Sequence, residues 1–556
     1  MLIKKLLRLF IFVLSISLIG CTSKEYRKLP IKEYRDKLEA GWIGQIVGVA
    51  WGAPTEFRWS DEIIPEEDMP MWTPDMINQA FNQDDLYVEM TFLRTLEEHG
   101  IDVPIRQAGI DFANSEYPLW CANLAGRKNL RAGIAPPDCS NPRYTDRPND
   151  IDYQIEADYS GLIAPGMPNI PIALGEKFGR LMNYSDGMYA GQFIGGMYSE
   201  AFFEEDIFKI IDAGLACIPP GSQYAEMVRD VVKWYKDNPQ DWVATWELCQ
   251  KKYRENPEYQ KCSNGSIDVK INGAYILIGL LYGDKDLDQT IILSTRCGQD
   301  SDCNPSNAAG ILFTSLGESK LPPRFTKLLD RETLFSHTEY NFTKLLDVCE
   351  KLAREYVKRE GGHIEIDDNG EEVFVIPVKK PIPSPLVFSW DPEPIENTLF
   401  TEKEMAEIRH KDFIDIQKAV DEIFPGWTIS NCGIDMNPGF YDSYRGRQNV
   451  IMTHPLDRET PCVLSSKIDI PKGKKSNIKI LISHHNEGDW DLIIRVNGSP
   501  QRDVTVSADT VDSNGWLEVN FDLTPFAGNS VTIDLENKAN GWAWEAGYWG
   551  AIEMSN

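Results

Sequence analysis

The sequence predicts a multidomain protein in which an all-α domain precedes an all-β sandwich of jelly-roll-like type. Three observations predict it. Apolar residues recur at helical spacing through residues 31–360, and they change to short alternating runs through 425–556. Between the two lies a proline-rich stretch. At 556 residues the chain is also too long for one ordinary core.

The N-terminus reads as an export signal. Lys4, Lys5 and Arg8 form a basic start, and Leu9–Ile19 is an apolar run too short for a typical spanning helix. It ends in Leu18-Ile19-Gly20-Cys21, which resembles the lipobox of bacterial lipoproteins. That resemblance implies cleavage before Cys21 and acylation of its thiol. The mature protein is then exported and held to a bacterial membrane by lipid, at the periplasmic face or the cell surface. An ordinary signal peptide with an incidental cysteine is the alternative. Residues 1–21 are thus expected as a lipoprotein signal with its lipidated cysteine, and 22–30 as a polar tether.

Within 31–360, Leu86, Met90, Leu93 and Leu96 fall on one helical face, and the run stops at Gly100. Residues 268–283 are apolar all round, as in a buried core helix. Asn304-Pro305 ahead of SNAAGILFTSLG offers a cap, a first-turn proline and a terminal glycine. Leu345–Tyr356 is expected as the last helix. Residues 361–424 read as a proline-rich linker or extended strap, followed by a helix. The stretch 361–372 is polar and acidic, Pro377, Pro381, Pro383, Pro385, Pro392 and Pro394 follow, and 401–422 has the pattern of one helix. From 425 onward NIKILISHH, DLIIRVNG, LEVNFDL and VTIDLEN alternate with turn signals, which predicts the sandwich.

Lys plus Arg total 56 against 85 Asp plus Glu, a net charge of −29. Such a field repels phosphate backbones, which argues against nucleic-acid binding, and suits carboxylate-rich cation sites. Eleven cysteines occur. Beyond Cys21 they are scattered, with no close CxxC pair, so no disulfide pairing follows. The seven histidines show no zinc-motif spacing, and His484-His485 in a strand would point to opposite faces.

Two acidic pairs stand directly before helical patterns: Gln83-Asp84-Asp85-Leu86 and Gly298-Gln299-Asp300-Ser301-Asp302-Cys303. A helix N-terminus favours ionised carboxylates, and these are hard ligands suited to Mg2+, Mn2+ or Ca2+ rather than zinc. In an Asp-x-Asp loop both side chains can converge on one ion, with Gly298 easing the turn. Simple helix capping is the alternative for either pair alone.

The neighbourhoods of the pairs resemble a known family. Residues 44–57, GQIVGVAWGAPTEF, look like the Gly-rich signature of ADP-ribosylglycohydrolases. Residues 83–86 look like its Thr-Asp-Asp-Thr motif, and 298–303 with NPSNAAGIL like its Gly-Gly-Asp-Thr-Asp-Thr motif before an Ala-rich helix. The three keep the family's order over about residues 35–325. The resemblance implies an all-α catalytic domain with one or two Mg2+-type ions. It places metal ligands at Asp84, Asp85, Asp300 and Asp302 and the catalytic or gating carboxylate at Glu56; Gln83 departs from the family pattern, but its carbonyl is a further oxygen able to bind a hard cation. Gln83, Leu86 and Cys303 replace threonines of the family pattern, Val49 replaces an acidic residue, and Asn183-Tyr184-Ser185-Asp186 stands where a Thr-His motif is usual.

Read from the residues alone, Glu56 follows the turn Gly52-Ala53-Pro54-Thr55 and can present a base to water over a pocket; a surface Glu is the alternative. A third acidic group, Asp150, Asp152, Glu156 and Asp158, follows a long loop and is a candidate for substrate binding, against a solvated acidic face. Trp51, Phe57, Trp59, Trp72 and Phe81 cluster near the first motif, mostly as core packing. In the last domain Trp490, Trp516, Trp542, Trp544 and Trp549 lie on predicted strands or turns, and the stretch GWLEVNFDLTPFAGNSVTIDLENKANGWAWEAGYWG resembles galactose-binding-like and carbohydrate-binding sandwiches. Glycan binding and a purely structural role are its two readings.

Together these point to a metal-dependent hydrolase of an O- or N-glycosidic bond. Its expected substrate is a glycan, glycoside or ribose-containing fragment outside the cytoplasm. A non-catalytic glycan-binding lipoprotein predicts retention without turnover. A two-metal phosphoester hydrolase predicts phosphate release with the glycosidic bond intact.

Overall fold

The fold is that of a computed structural model, which describes residues 25–395, 398–409, 416–433, 436, 438–486, 488–542 and 544–555. Cys21 and the expected signal segment lie outside these described residues. Among them, no helix is long and apolar enough to cross a membrane. They form two compact units: residues up to Gly126 with Ala135–Thr398, and Arg127–Ile134 with Leu399 onward.

The first unit is helical. The helices that build and support its acidic site are α1 (Ile31–Gly52), α2 (Asp84–His99), α3 (Asp152–Ile155), α4 (Asp158–Leu162), α5 (Asp186–Ala201), α6 (Val269–Tyr282), α7 (Cys303–Leu316) and α8 (Phe342–Arg359). Helix α2 stops at Gly100, as the periodicity predicts, with φ +83° there. Helix α6 is buried from Val269 to Leu281, as its all-round apolarity requires.

The central pair is α1 against α7, antiparallel. Gly41, Gly44, Gly48 and Gly52 recur every three or four residues and so share one face of α1. A Cβ at Gly44 would lie 2.6 Å from the Ala309 carbonyl oxygen, at Gly48 2.3 Å from that of Pro305, and at Gly52 2.1 Å from that of Ser301. Glycine is needed because backbone meets backbone along the whole seam. The glycine-rich signature is therefore a packing surface, and it delivers the end of α1 to the start of α7.

Three expectations are corrected. Residues 26–30, expected as tether, form strand β1 (Tyr26–Pro30). Residues 363–377, expected as linker, form β2 (His363–Ile366) and β3 (Glu372–Pro377), and the sheet order is β1-β3-β2. The buried run Val373–Ile376 explains this, because a central strand needs a partner on each edge. Of the two readings of the proline-rich stretch, the extended strap is the one observed. Its prolines carry no N–H, so its carbonyls take donors from the helical unit. Tyr189 Oη donates to the Pro385 carbonyl at 2.6 Å and Ser185 Oγ to that of Val387 at 2.7 Å. The single helix expected over 401–422 appears as Glu402–Glu407 and Ile416–Ile423, with 410–415 outside the described residues.

Among the described residues of the second unit, ten strands form two antiparallel five-stranded sheets. These are β4 (Thr428–Ser430), β5 (Gly439–Tyr444), β6 (Arg447–Thr453), β7 (Cys462–Asp469), β8 (Asn477–His484), β9 (Trp490–Val496), β10 (Ser499–Val506), β11 (Leu517–Asp522), β12 (Ser530–Lys538) and β13 (Gly547–Ser555). The sheet orders are β10-β9-β12-β7-β4 and β11-β8-β13-β6-β5. Alternate residues of both sheets fill the core, as period-two burial demands. Trp490 and Trp549 meet at its centre with ring centroids 5.4 Å apart, and Trp516 is buried too. Three of the five tryptophans are therefore core, while Trp542 is half-buried and Trp544 exposed.

Candidate active site

The end of α1 runs into the turn Ala53–Thr55, and Glu56 follows. This segment is stitched to the loop before α7. Thr55 Oγ1 lies 2.8 Å from Ser301 Oγ, Phe57 N donates to the Gln299 carbonyl at 3.1 Å, and Gln299 N donates to that of Trp59 at 3.0 Å. The loop folds through two residues at positive φ, Gly298 and Gln299. A Cβ at Gly298 would stand 2.5 Å from the Trp59 carbonyl oxygen, so glycine is required there as the sequence suggests.

Helix α7 begins two residues earlier than its Asn304-Pro305 signal implies. Asp302 is the residue flanking its start. The Asp300 carbonyl accepts from Asn304 N at 3.2 Å and the Asp302 carbonyl from Ser306 N at 3.1 Å. Their backbones open the helix while their side chains do not cap it, which leaves the carboxylates for other partners. One oxygen each of Asp300 and Asp302 and the Cys303 sulfur all lie within 4.8 Å of one another, and all three residues are buried.

The second acidic pair meets the first here. Cys303 Sγ donates to Asp85 Oδ1 at 3.0 Å, which joins the start of α7 to the start of α2. Asp84 feels Asp302 and Asp152, and Glu56 feels Asp302 and Asp84. Gln83 flanks the same helix end, but its backbone carbonyl accepts from Leu86 N and Tyr87 N, both at 3.2 Å. Only its side chain is left to act as a ligand.

The third acidic group divides. Asp152 takes the backbone N–H groups of Asn123 and Ala122 at 2.9 and 3.2 Å, and lies beside Asp84. Glu156 accepts from the Asn123 side chain and feels Asp152. Asp150 is turned to Asn264, which donates to it at 2.8 Å, and to Arg147 at 3.6 Å. Asp158 is enclosed deeper, accepting from Asn307 Nδ2 at 2.7 Å beside Glu89, whose Oε2 accepts from Tyr159 N at 2.8 Å. None of the four faces bulk solvent.

Carboxylates this crowded and enclosed resist ionisation together. Burial first, then Asp302 and Asp152, push Asp84 up to about 7. Burial, then Asp302 and Asp84, raise Glu56 to about 8. Asp85 and Asp300 are driven well above the carboxylate range by burial first and by their acidic neighbours second. Asp85 Oδ2 and Asp300 Oδ1 are buried without a hydrogen-bond partner. Unpaired oxygens and mutual repulsion are what a divalent cation relieves, so Asp84, Asp85, Asp300 and Asp302 fit one.

Three supporting residues receive no role from sequence reasoning, although Asn183 lies in the segment set against the Thr-His motif. Asn272, wholly buried inside the apolar helix α6, accepts from Asp300 N at 3.4 Å and from Asn304 Nδ2 at 2.8 Å. A lone amide in an apolar run was its only signal. Asn183 accepts from Tyr153 N at 2.9 Å and donates to the Asp150 carbonyl at 2.8 Å, which fixes the third acidic loop. Glu89 gives no signal except its place one turn beyond Asp85.

Replacing Asn272 by Ala would leave a buried N–H and a buried amide unpaired. Stability should fall by about 1–3 kcal/mol in denaturant titration. Affinity for Mn2+ by calorimetry should weaken roughly 10-fold or more, as when other orienting partners of a metal site are lost. Unchanged Mn2+ affinity would deny Asn272 its orienting role.

The sequence model of the family described as ADP-ribosylglycohydrolase matches residues 30–361, more than half of the chain. Among solved structures the chain is similar to one described as an ADP-ribosylglycohydrolase-related protein complex. Identity is 15%, covering 58% of this chain and 99% of that one, with a TM-score of 0.36. It is also similar to a family 35 carbohydrate binding module from Clostridium thermocellum, at 12% identity over 23% of this chain and 90% of that one, with a TM-score of 0.17. A third likeness is to TmCBM61 in complex with β-1,4-galactotriose, at 15% identity over 24% and 90% of the two chains, with a TM-score of 0.18. No curated protein matches the sequence.

Proposed function

The chain belongs to the ADP-ribosylglycohydrolase family, whose members hydrolyse glycosidic bonds, and from that premise we propose a divalent-cation-dependent hydrolysis of an O- or N-glycosidic bond. The single observation that carries the reading is the Cys303–Asp85 contact at 3.0 Å. It joins two acid-bearing helix starts far apart in sequence, beside carboxylate oxygens that have no protein partner.

Asp84, Asp85, Asp300 and Asp302 would hold the cation, with Mg2+ as the expected ion and Mn2+ or Ca2+ as alternatives. When bound, such an ion orients sugar hydroxyls and water and offsets charge as the bond breaks. Once a cation offsets the charge of Asp302 and Asp84 that raises it, Glu56, at the exposed rim, would be ionised and would accept the proton of the attacking water. Phe57 beside it is exposed and offers a ring face to the substrate. Asp152 and Glu156 supply acceptors for sugar hydroxyls, each oriented by Asn123.

The substrate in this reading is an extracellular glycan, glycoside or ribose-containing fragment, because the N-terminal pattern ending in Cys21 implies export and lipid anchoring. Palmitate labelling lost in Cys21→Ala tests the anchor. The activity is tested with purified protein, with Mg2+ and with chelator, on aryl glycosides, glycans and ADP-ribosyl compounds. Sugar release that requires the cation supports the proposal. No release from any of them, or phosphate release with the glycosidic bond intact, overturns it.

A further inference from the structure

We infer that Cys432 and Cys462 are a disulfide-forming pair whose bond pins the short edge strand β4 to the start of β7. This concerns the second unit alone and does not rest on the hydrolytic reading.

Strand β4 is three residues long and stands at the edge of its sheet, beside β7. Its ladder sets Thr428 opposite Ser465, Ile429 opposite Leu464 and Ser430 opposite Val463. Thr428 and Ser430 are exposed. An edge strand held by so few pairs opens readily. Continued by one residue, the same register would set Asn431 opposite Cys462. Asn431 instead takes φ +54°, in the left-handed region that asparagine tolerates. The chain turns there, and Cys432 comes to lie against Cys462.

Both backbones are held in place. Cys432 forms an isolated antiparallel bridge with Pro455, just beyond β6, and Gly433 N donates to the His454 carbonyl at 2.9 Å. A Cβ at Gly433 would stand 2.1 Å from the Pro455 carbonyl oxygen, so these segments meet backbone to backbone. Cys462, 1% exposed, is fixed in register opposite Asn537 of β12. Both are free thiols, and Cys462 Sγ donates to Cys432 Sγ. Two thiols already in contact can bond through small side-chain rotations. By contrast, Cys139 Sγ is directed to the Arg180 carbonyl at 3.4 Å, Cys217 Sγ to that of Ala213 at 3.3 Å and Cys303 Sγ to Asp85 at 3.0 Å.

Burial sets the order of events. Cys432 is half-buried and Cys462 enclosed, so an oxidant reaches Cys432 first. The hydrogen bond from Cys462 holds the Cys432 thiol below its usual range against the effect of burial, and the His454 N–H and the Lys128 charge act the same way. A thiolate is the attacking form. The co-reactant is itself a disulfide, that of an oxidoreductase or of a small thiol. Cys432 attacks one of its sulfurs, expels the other as a thiolate and forms a mixed disulfide. Cys462 then gives up its proton, attacks the Cys432 sulfur and expels the second thiolate. The expelled thiolates take up the two protons released. Two protein thiols are thus oxidised as one external disulfide is reduced. Export, as proposed above, would bring the chain to a compartment where such oxidants prevail.

The test uses the full chain, reduced and then incubated with oxidised glutathione. The reaction is quenched with acid, free thiols are alkylated, and the digest is read by mass spectrometry. The peptides carrying Cys432 and Cys462 should be found joined, two hydrogens lighter than the separate pair. Amide exchange in peptides covering 428–433 should slow roughly 10-fold or more on oxidation, because the bond holds the fraying edge. Cys432→Ser should abolish that slowing. Cys462→Ser keeps the attacking thiol but not the resolving one, so Cys432 should retain glutathione as a mixed disulfide. The comparison of oxidised with reduced parent needs no variant to fold. Separately alkylated Cys432 and Cys462 in the oxidised parent, or either one joined to a different cysteine, overturns the pair. Joined peptides with unchanged exchange over 428–433 overturn the pinning of β4. Glutathione on Cys462 in Cys432→Ser, with none on Cys432 in Cys462→Ser, overturns the order of attack.

Discussion

Asp302→Asn should lower sugar release by about 10²–10³-fold, a loss typical when one stabilising group is removed from a reacting centre. The same change should raise the melting temperature of the cation-free protein. The two signs have one cause. Without a cation, Asp302 is a buried carboxylate that raises Asp84, Asp300 and Glu56. The amide keeps the shape and removes that repulsion. Asp84 and Glu56 titrate at about 7 and about 8 in place of their ordinary 3.8 and 4.5. A carboxyl raised in this way favours the folded state when protonated. Its contribution is whole below pH ~4, where the unfolded chain is protonated as well, and is lost as pH rises through 7 to 8. Cation-free protein should therefore melt lower at pH 8 than at pH 5. Mg2+ should remove the difference by stabilising the protein at pH 8, and Asp302→Asn should shrink it. Calorimetric melting at the two pH values, with and without Mg2+, decides this. A cation-free Asp302→Asn that melts below the parent would mean the carboxylate is stabilising, and the repulsive account of the site would fail.

The legible parts of the molecule are those whose physics is local. The acid pairs sit at helix starts, and Gly298 sits at a turn that needs positive φ. The alternating runs of β8, β9, β11 and β12 are half-buried strands, which is a period-two property of the sequence itself. What stays hidden depends on partners distant in the chain. Nothing near residues 26–30 announces that Val373–Ile376 needs an edge partner. The prolines of 377–394 read equally as linker or strap because the donors that hold them, Ser185 and Tyr189, are about 200 residues away. Asn272 looks like an impurity in an apolar helix until the Asp300 backbone is seen against it. Glu89 and Asp158, both acidic and enclosed, become intelligible only as neighbours each held by its own donor, Tyr159 N for Glu89 and Asn307 Nδ2 for Asp158. Sequence position identifies the candidate ligands. Which of the third acidic group adjoin them is a matter of packing, and Asp152 and Glu156 separate from Asp150 and Asp158 on that ground alone.

Gly48→Ala should destabilise the helical unit by about 3 kcal/mol, against the usual direction of such a change. In a helix interior Gly→Ala normally stabilises by about 0.5–1 kcal/mol, because glycine loses more chain entropy on folding. Here the new methyl would stand 2.3 Å from the Pro305 carbonyl oxygen and 2.6 Å from Ser306 Cα. Both are backbone atoms of α7 and cannot turn aside as a flexible side chain does. Overpacking costs of about 1–3 kcal/mol apply where neighbours yield, and the upper end applies where they do not. The helices must part, and Asp300 and Asp302 at the start of α7 then move away from Glu56 at the end of α1. Stabilisation by Mn2+ should fall with stability, in a protein whose acidic residues are all intact. Gly221→Ala is the control, since its methyl would meet only the end of the Leu386 side chain. It should shift stability by less than about 0.5 kcal/mol. If Gly48→Ala melts like the parent and still responds to Mn2+, then α1 and α7 are not seated backbone to backbone. The acidic site would then need another explanation for how its two halves meet.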